Sequence, residues 1–327
     1  MSDSPRPPEL PRHGAVLEDV RAEPDDDILH SVTRILKVID KSDPLIAWAC
    51  NVQAERTVAD IRRIYSRLKN EGTESAVEYV NGLRWRTGGL LSDADLGRVA
   101  HHLFDDYALT GTRPDVHPEL HPKHAKDKVV LLAEDVHALE RMLTHFDRFL
   151  EEFQPDYQAT EAVVYNPRYG YAGQTDAFLA IQGNLYIVDY KTSRKTWTGG
   201  AEPKLRTPYP EAGLQLAAYR YAEAAAIWRA RRYKSYSSRY YLLSPTEKAM
   251  AVPVPTVEGG LVVHVTPERL GVYPVRCGPD MFEAFLHVLE VARWSHSVAR
   301  DVVGNEMPPP FPRPEPTGDP FAGLPTN

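Results

Sequence analysis

The residues best suited to chemistry lie between Gly173 and Ser193. Asp176 follows Gly173 at a G-x-x-D spacing, and Asp189-Tyr190-Lys191 begins thirteen residues after it, with the turn signal Gln182-Gly183-Asn184 in between. Strand side chains alternate between faces, so Asp189 and Lys191 project to one side and Tyr190 to the other. Leu185 to Val188 is apolar on both faces, as in a central strand, and a carboxylate at the end of such a strand is costly to bury alone. Lys191 answers that cost as an ordinary ion-pair partner. A divalent cation would answer it too, and would turn the cluster into a site for hydrolytic chemistry.

Such a cluster needs a sheet to hold it and helices to cover it. Ala177 to Ile181 and Leu185 to Val188 read as a hairpin and Glu161 to Tyr165 as the first strand of the sheet. Ser238 to Leu243, Met250 to Val254, Leu261 to Val265 and Val272 to Arg276 read as later strands. Tyr169 to Gly173 reads as a turn in which glycines permit positive φ. A helix over Tyr209 to Arg229 puts Gln215 and Tyr219 on one face. Upstream the pattern is helical from Ser31, then over Leu45 to Leu68, Glu74 to Arg86, Ser92 to Thr110 and Val129 to Phe153, and a last helix spans Pro279 to His296. Ser92 is a cap and Gly111 a stop. Leu96, Val99, Ala100, Leu103, Phe104 and Tyr107 form the stripe of that helix; His101 and His102 flank it, and periodicity does not choose between them.

Taken in order, Gly173-x-x-Asp176, Asp189-x-Lys191 and Gln215-Leu216-x-x-Tyr219 resemble the PD-(D/E)XK nuclease superfamily, above all its RecB-type branch and the related exonucleases of bacteriophages. Ser31-Val32-Thr33 before a hydrophobic helix is similar to the start of the phage enzymes. The resemblance implies an α/β fold, with a mixed central sheet flanked by helices in residues 156–300 and a helical N-terminal lobe in residues 28–155. It implies that Asp176, Asp189 and the backbone carbonyl of Tyr190 hold one or two Mg²⁺ or Mn²⁺ ions, that Lys191 acts on the water or the phosphate, and that Gln215 and Tyr219 line the site. The G-x-x-x-H spacing of Gly97 to His101 resembles a RecB-type motif, which makes His101 a ligand. Glu161 stands where relatives often carry a strand carboxylate and would assist the metal or bind a neighbouring side chain. The implied activity is metal-dependent DNA hydrolysis, favouring DNA ends, in phage or bacterial recombination and repair, with recombination proteins as possible partners. A non-catalytic DNA-end binding module and an endonuclease of the same fold are the alternatives.

Composition bounds the rest. The 327 residues are enough for a full core, and the segments 1–27 and 301–327 are Pro-bearing and expected to be disordered. Two cysteines, Cys50 and Cys277, exclude a four-cysteine zinc site or iron-sulfur cluster. A formal net charge of −7 argues against non-specific coating of nucleic acid. Arg194, Lys195, Trp197, Lys204 and Arg206, however, form a basic loop with an aromatic directly after the lysine, suited either to tracking a strand or to plain solvation. His117, His121 and His124 are interrupted by Pro118 and Pro122 and read as an exposed connector rather than a zinc site. No phosphate-loop motif, signal peptide or membrane-length apolar run is present, so a cytoplasmic protein without its own ATP-driven motor is expected.

Overall fold

The computed structural model describes residues 16–39, 42–83, 90–120, 129–194, 207–226, 229–235 and 238–304. In chain order, β1 (Val16–Asp19) and β2 (Asp27–Ser31) precede α1 (Val32–Ile35), then α2 (Ser42–Ala59), α3 (Ile61–Glu71), α4 (Thr73–Leu83) and α5 (Asp93–Thr110). A ribbon of β3 (Glu119–Leu120) and β4 (Val129–Val130) leads to α6 (Ala133–Phe153). β5 (Asp156–Asn166), β6 (Tyr171–Ile181) and β7 (Asn184–Thr192) come next, followed by α7 (Glu211–Arg220) and β8 (Ala224–Ala225). After β9 (Arg229–Ser235) and β10 (Ser238–Leu243) come α8 (Pro245–Met250), β11 (Val252–Pro253), β12 (Gly259–Val265), β13 (Leu270–Val275) and α9 (Pro279–His296).

All strands except the ribbon join one mixed, eleven-stranded sheet. Its centre is β6, paired antiparallel along its length with β5. The other edge of β6 is shared. β2 pairs there in parallel at Tyr171 and Ala172, and β7 pairs antiparallel from Ala177 to Ile181. Among the described residues, 173–176 between these ladders have no strand partner on that edge, which opens the sheet at Asp176.

Helices cover both faces. On one, α1, α7 and α9 bury Leu216, Tyr219, Phe285 and Leu289 against Phe178, Ile187 and Val262. On the other, α5 and α6 bury Leu103, Phe104, Leu139 and Phe146 against Val188, Tyr190 and Val263. The expected α/β class, a mixed sheet flanked by helices, is the observed one. The Ser92 side chain accepts the Asp95 amide at the start of α5, and Gly111 ends it at φ 66°, as the cap and stop signals predict.

Three expectations are corrected. The sheet begins early: β1 lies inside the segment expected to be disordered, and β2 starts at its last residue. Charge matching explains this, because Glu18 and Asp19 sit beside Arg231 and Arg232 of β9, with Asp19 2.8 Å from the Arg232 guanidinium. The helix expected from Leu45 to Leu68 breaks at Asp60, whose carbonyl starts α3 and whose carboxylate accepts the Tyr79 hydroxyl. The helix expected to reach Arg229 stops at Arg220, because Ala224 and Ala225 are recruited as a strand between β5 and β11; tertiary pairing overrides alanine's helical preference.

Candidate active site

The opening on β6 brings the predicted carboxylates together. Asp176 lies one residue past the last β6–β7 pair, Ala177 with Val188, and its carboxylate accepts the Tyr190 amide at 2.5 Å, standing in for a strand carbonyl. Asp189 is one residue past the same pair on the opposing strand and is 4% exposed. Lys191 Nζ lies 2.5 Å from Asp189 Oδ2, and Gln215 Nε2 donates to Asp189 Oδ1 at 2.8 Å and reaches the Tyr219 hydroxyl at 3.3 Å. The expected cluster of Asp176, Asp189, Lys191, Gln215 and Tyr219 is therefore contiguous.

Two glycines set the approach of the helices. A Cβ on Gly173 would collide with the Tyr219 ring, so this residue is glycine because α7 must press on β6 beside Asp176. The turn ends earlier than expected, at Gly170 with φ 62°, and Gly173 lies within the strand. Gly97 plays the same part for α5: a Cβ there would come 2.7 Å from Thr192 Oγ1 at the end of β7. One helical turn later, His101 Nδ1 lies 3.5 Å from Asp176 Oδ1, whereas His102 turns to Asp106 on its own helix. Of the two histidines that periodicity left undistinguished, His101 is the one beside Asp176.

Glu161 reaches the cluster through a backbone irregularity. Ala159 and Ala162 face the same core although strand alternation forbids a spacing of three. The ladder itself slips only between Tyr157 and Ala159; from Thr160 with Ala177 to Ala162 with Thr175 it advances one for one, so Glu161, at φ 49°, stands opposite Asp176. Its carboxylate accepts Gln174 Nε2 at 2.5 Å. Burial, reinforced by Asp176, pushes Glu161 up to about 8.

The electrostatics follow from crowding of like charge. Burial, then the neighbouring Asp176, raises Asp189 above the ordinary carboxylate range despite Lys191. Burial also opposes the charged forms of Asp176, His101 and Lys191, but mutual attraction outweighs it: His101 and Lys191 hold Asp176 below its usual value, Asp176 holds His101 above its own, and Asp189 raises Lys191. A family model of the PD-(D/E)XK nuclease superfamily matches residues 76–303, which include every one of these side chains. The chain belongs to the PD-(D/E)XK nuclease superfamily.

PD-(D/E)XK proteins are in general phosphodiester hydrolases and typically use divalent metal ions. There is no match among curated proteins. Among solved structures, the crystal structure of SSO0001 is similar at 17% identity and a TM-score of 0.26, over 47% of this chain and 57% of that one.

The donors present fit a hard divalent ion. Asp189 Oδ2 is buried and makes no hydrogen bond of good geometry, its contact being the Lys191 ion pair, and the charge of Asp176 works against ionisation of both Asp189 and Glu161. Oxygen donors of this kind suit Mg²⁺ or Mn²⁺, and an imidazole favours Mn²⁺. Among the described residues no three His, Cys, Asp or Glu side chains converge on one point, because Asp176 is turned to His101 and the Tyr190 amide, and Asp189 to Lys191 and Gln215.

Arg194, expected on nucleic acid, is paired within the fold. Its guanidinium donates to the fully buried Asp135 at 2.6 Å and to the Leu91 carbonyl at 3.0 Å, tying the end of β7 to the first turn of α6. Lys195, Trp197, Lys204 and Arg206 lie outside the described residues, as do His121 and His124; His117 is exposed. Two side chains that hydrogen-bond to this cluster or behind it were not singled out in the sequence. Gln174 carried a signal, as the residue after Gly173 in G-x-x-D. Tyr157, whose hydroxyl meets that of Tyr190 at 2.7 Å behind the site, carried none.

Proposed function

We propose that this chain is a metal-dependent deoxyribonuclease that hydrolyses phosphodiester bonds from DNA ends, in phage or bacterial DNA recombination or repair. The observation that carries this reading is the opening of the sheet at Asp176, with Asp189 on the neighbouring strand and the Lys191 ammonium 2.5 Å from it. The preference for ends is supported by the likeness of the G-x-x-D, D-x-K and Q-L-x-x-Y series to phage exonucleases.

Asp176, Asp189, the Tyr190 carbonyl and His101 would hold one or two divalent ions, with Glu161 at their side. When bound, the metal supplies Lewis-acid polarisation of the phosphate and a water of lowered pKa. Gln215 fixes the orientation of Asp189 through the 2.8 Å hydrogen bond to Oδ1. Lys191 leaves Asp189 for the substrate, where its ammonium orients the attacking water and stabilises charge on the pentavalent phosphorus. Tyr219, held 3.3 Å from Gln215, presents its hydroxyl towards the DNA backbone. Lys195, Trp197, Lys204 and Arg206 would track the strand beyond the site.

The test is incubation with end-labelled linear DNA and with covalently closed circles, in Mg²⁺, in Mn²⁺ and in chelator. Progressive loss of linear DNA from its ends, with circles surviving and chelator abolishing the reaction, is the expected result. Rapid nicking of circles would replace the exonuclease reading with an endonuclease. Binding of ends without cleavage would reduce the chain to a DNA-end module.

A further inference from the structure

We propose that α3 is a docking helix for an acidic, amphipathic segment of a partner protein. The helix buries no residue, yet its sequence is built as though it should. Ile61, Tyr65 and Leu68 recur at i, i+4 and i+7 and are 57%, 65% and 47% exposed. At about 100° per residue they form one stripe less than a quarter-turn wide. Such a stripe is the signature of a helix that pairs with something.

Among the described residues, the neighbours of α3 leave this stripe open. α4 packs on its other flank, where Arg67 lies 4.8 Å over the Tyr79 ring and bonds Glu71 and Ser75. On the open side, next to Tyr65, the same angular step places Arg62 and Lys69, both exposed. α3 carries four basic residues and one acidic one, in a chain whose net charge is −7. The residues matched by the family model begin at 76, so α3 lies outside the part shared with the nuclease superfamily.

These features select among occupants. A second α3 would set basic rim against basic rim, which disfavours a symmetric pairing. A nucleic-acid backbone would meet the cations but leave the apolar stripe unused. A partner helix with apolar residues on one face and carboxylates beside them satisfies both, in the helix-in-groove manner. The inference does not depend on the nuclease reading.

The probe is a fluorescein-labelled synthetic helix of about three heptads, with Leu at a and d and Glu at e and g, titrated into the full chain and followed by anisotropy. Saturable binding is expected. It should weaken at least about tenfold in Tyr65→Ser/Leu68→Ser and in Arg62→Glu/Lys69→Glu, each pair removing one of the two recognition elements, and the peptide with Lys in place of Glu should not bind. Both variants alter exposed side chains, so an unchanged melting temperature is the control for folding. Failure of the Glu peptide to bind, or equal binding to both variants, overturns the proposal. So does an equal or larger loss of duplex DNA binding, of anionic phosphatidylserine vesicle binding or of self-association in the same variants, since each assigns α3 to another occupant.

Discussion

Gly97 and Thr192 are packed so that a Cβ built on the glycine would come 2.7 Å from the threonine hydroxyl, and this contact sets how closely α5 approaches the end of β7. Gly97→Ala should push α5 away and carry His101 with it. Overpacking of this kind costs about 1–3 kcal/mol, and DNA cleavage should fall by more than the stability loss explains. Thr192→Ala in the same chain should restore both. Melting curves and cleavage rates of the single and double variants check this, and a double variant as impaired as the single one would show that the contact does not position the helix.

The two adjacent histidines should behave differently. His101→Ala removes the imidazole 3.5 Å from Asp176, whereas His102→Ala removes a partner of Asp106 on the helix surface. Metal-dependent cleavage should drop roughly a hundredfold in the first and little in the second. Equal, mild effects would make the helix plain scaffold.

Metal binding and chemistry should separate. Asp176→Ala and Asp189→Ala should abolish cleavage and also the rise in melting temperature with Mg²⁺ or Mn²⁺, because a ligand that binds only the folded state stabilises it. Lys191→Ala should lose about 10²–10⁴-fold in rate while keeping or strengthening metal binding, since it removes a cation from beside Asp189. Calorimetric titration alongside the nuclease assay checks both, and a fully active Lys191→Ala would leave the lysine as an ion-pair partner only.

Glu161 predicts a pH dependence. Its carboxyl is raised from 4.5 to about 8 on folding, so between those values the folded chain binds a proton that the unfolded chain has released. Stability from this group is therefore full below 4.5 and is lost as pH rises towards about 8. In chelator, the melting temperature of Glu161→Gln relative to the parent should climb across that window. A difference that stays flat with pH would mean that the carboxyl titrates normally.

Arg194→Ala separates the internal ion pair from a nucleic-acid contact. Removing the partner of fully buried Asp135 leaves an uncompensated charge and should destabilise by about 3–5 kcal/mol. The salt dependence of DNA binding should not change, because a residue committed to Asp135 neutralises no phosphate. A shallower salt slope with unchanged stability would return Arg194 to the DNA surface.

The parts of this site legible in the sequence were those governed by local rules. The D-x-K alternation, the i and i+4 face of Gln215 and Tyr219 and the Ser92 cap depend on neighbours a few residues apart. The illegible parts depend on distant strands. Glu161 joins the cluster through one positive φ in β5, and nothing in Ala159 to Ala162 announces it. β1 looked like a disordered leader because it is charged and follows prolines; its partners, Arg231 and Arg232, lie more than two hundred residues away. Arg194 follows Lys191 in a basic stretch, and its pairing with Asp135 on α6, 59 residues earlier, has no local signal.

The shared edge of β6 also fixes an order of assembly. β2 leaves the ribosome early but has no strand to join through Tyr171 until about 140 more residues have been made. β7 arrives immediately after β6 by a short turn. The β6–β7 hairpin, with its two aspartates, can therefore form before the N-terminal strand returns to close the other half of the edge. Contacts so far apart in sequence are slow to form. A nascent chain that has made the hairpin still lacks this half of the edge until β2 docks, and β2 in turn waits for β10, its other partner, more than two hundred residues later.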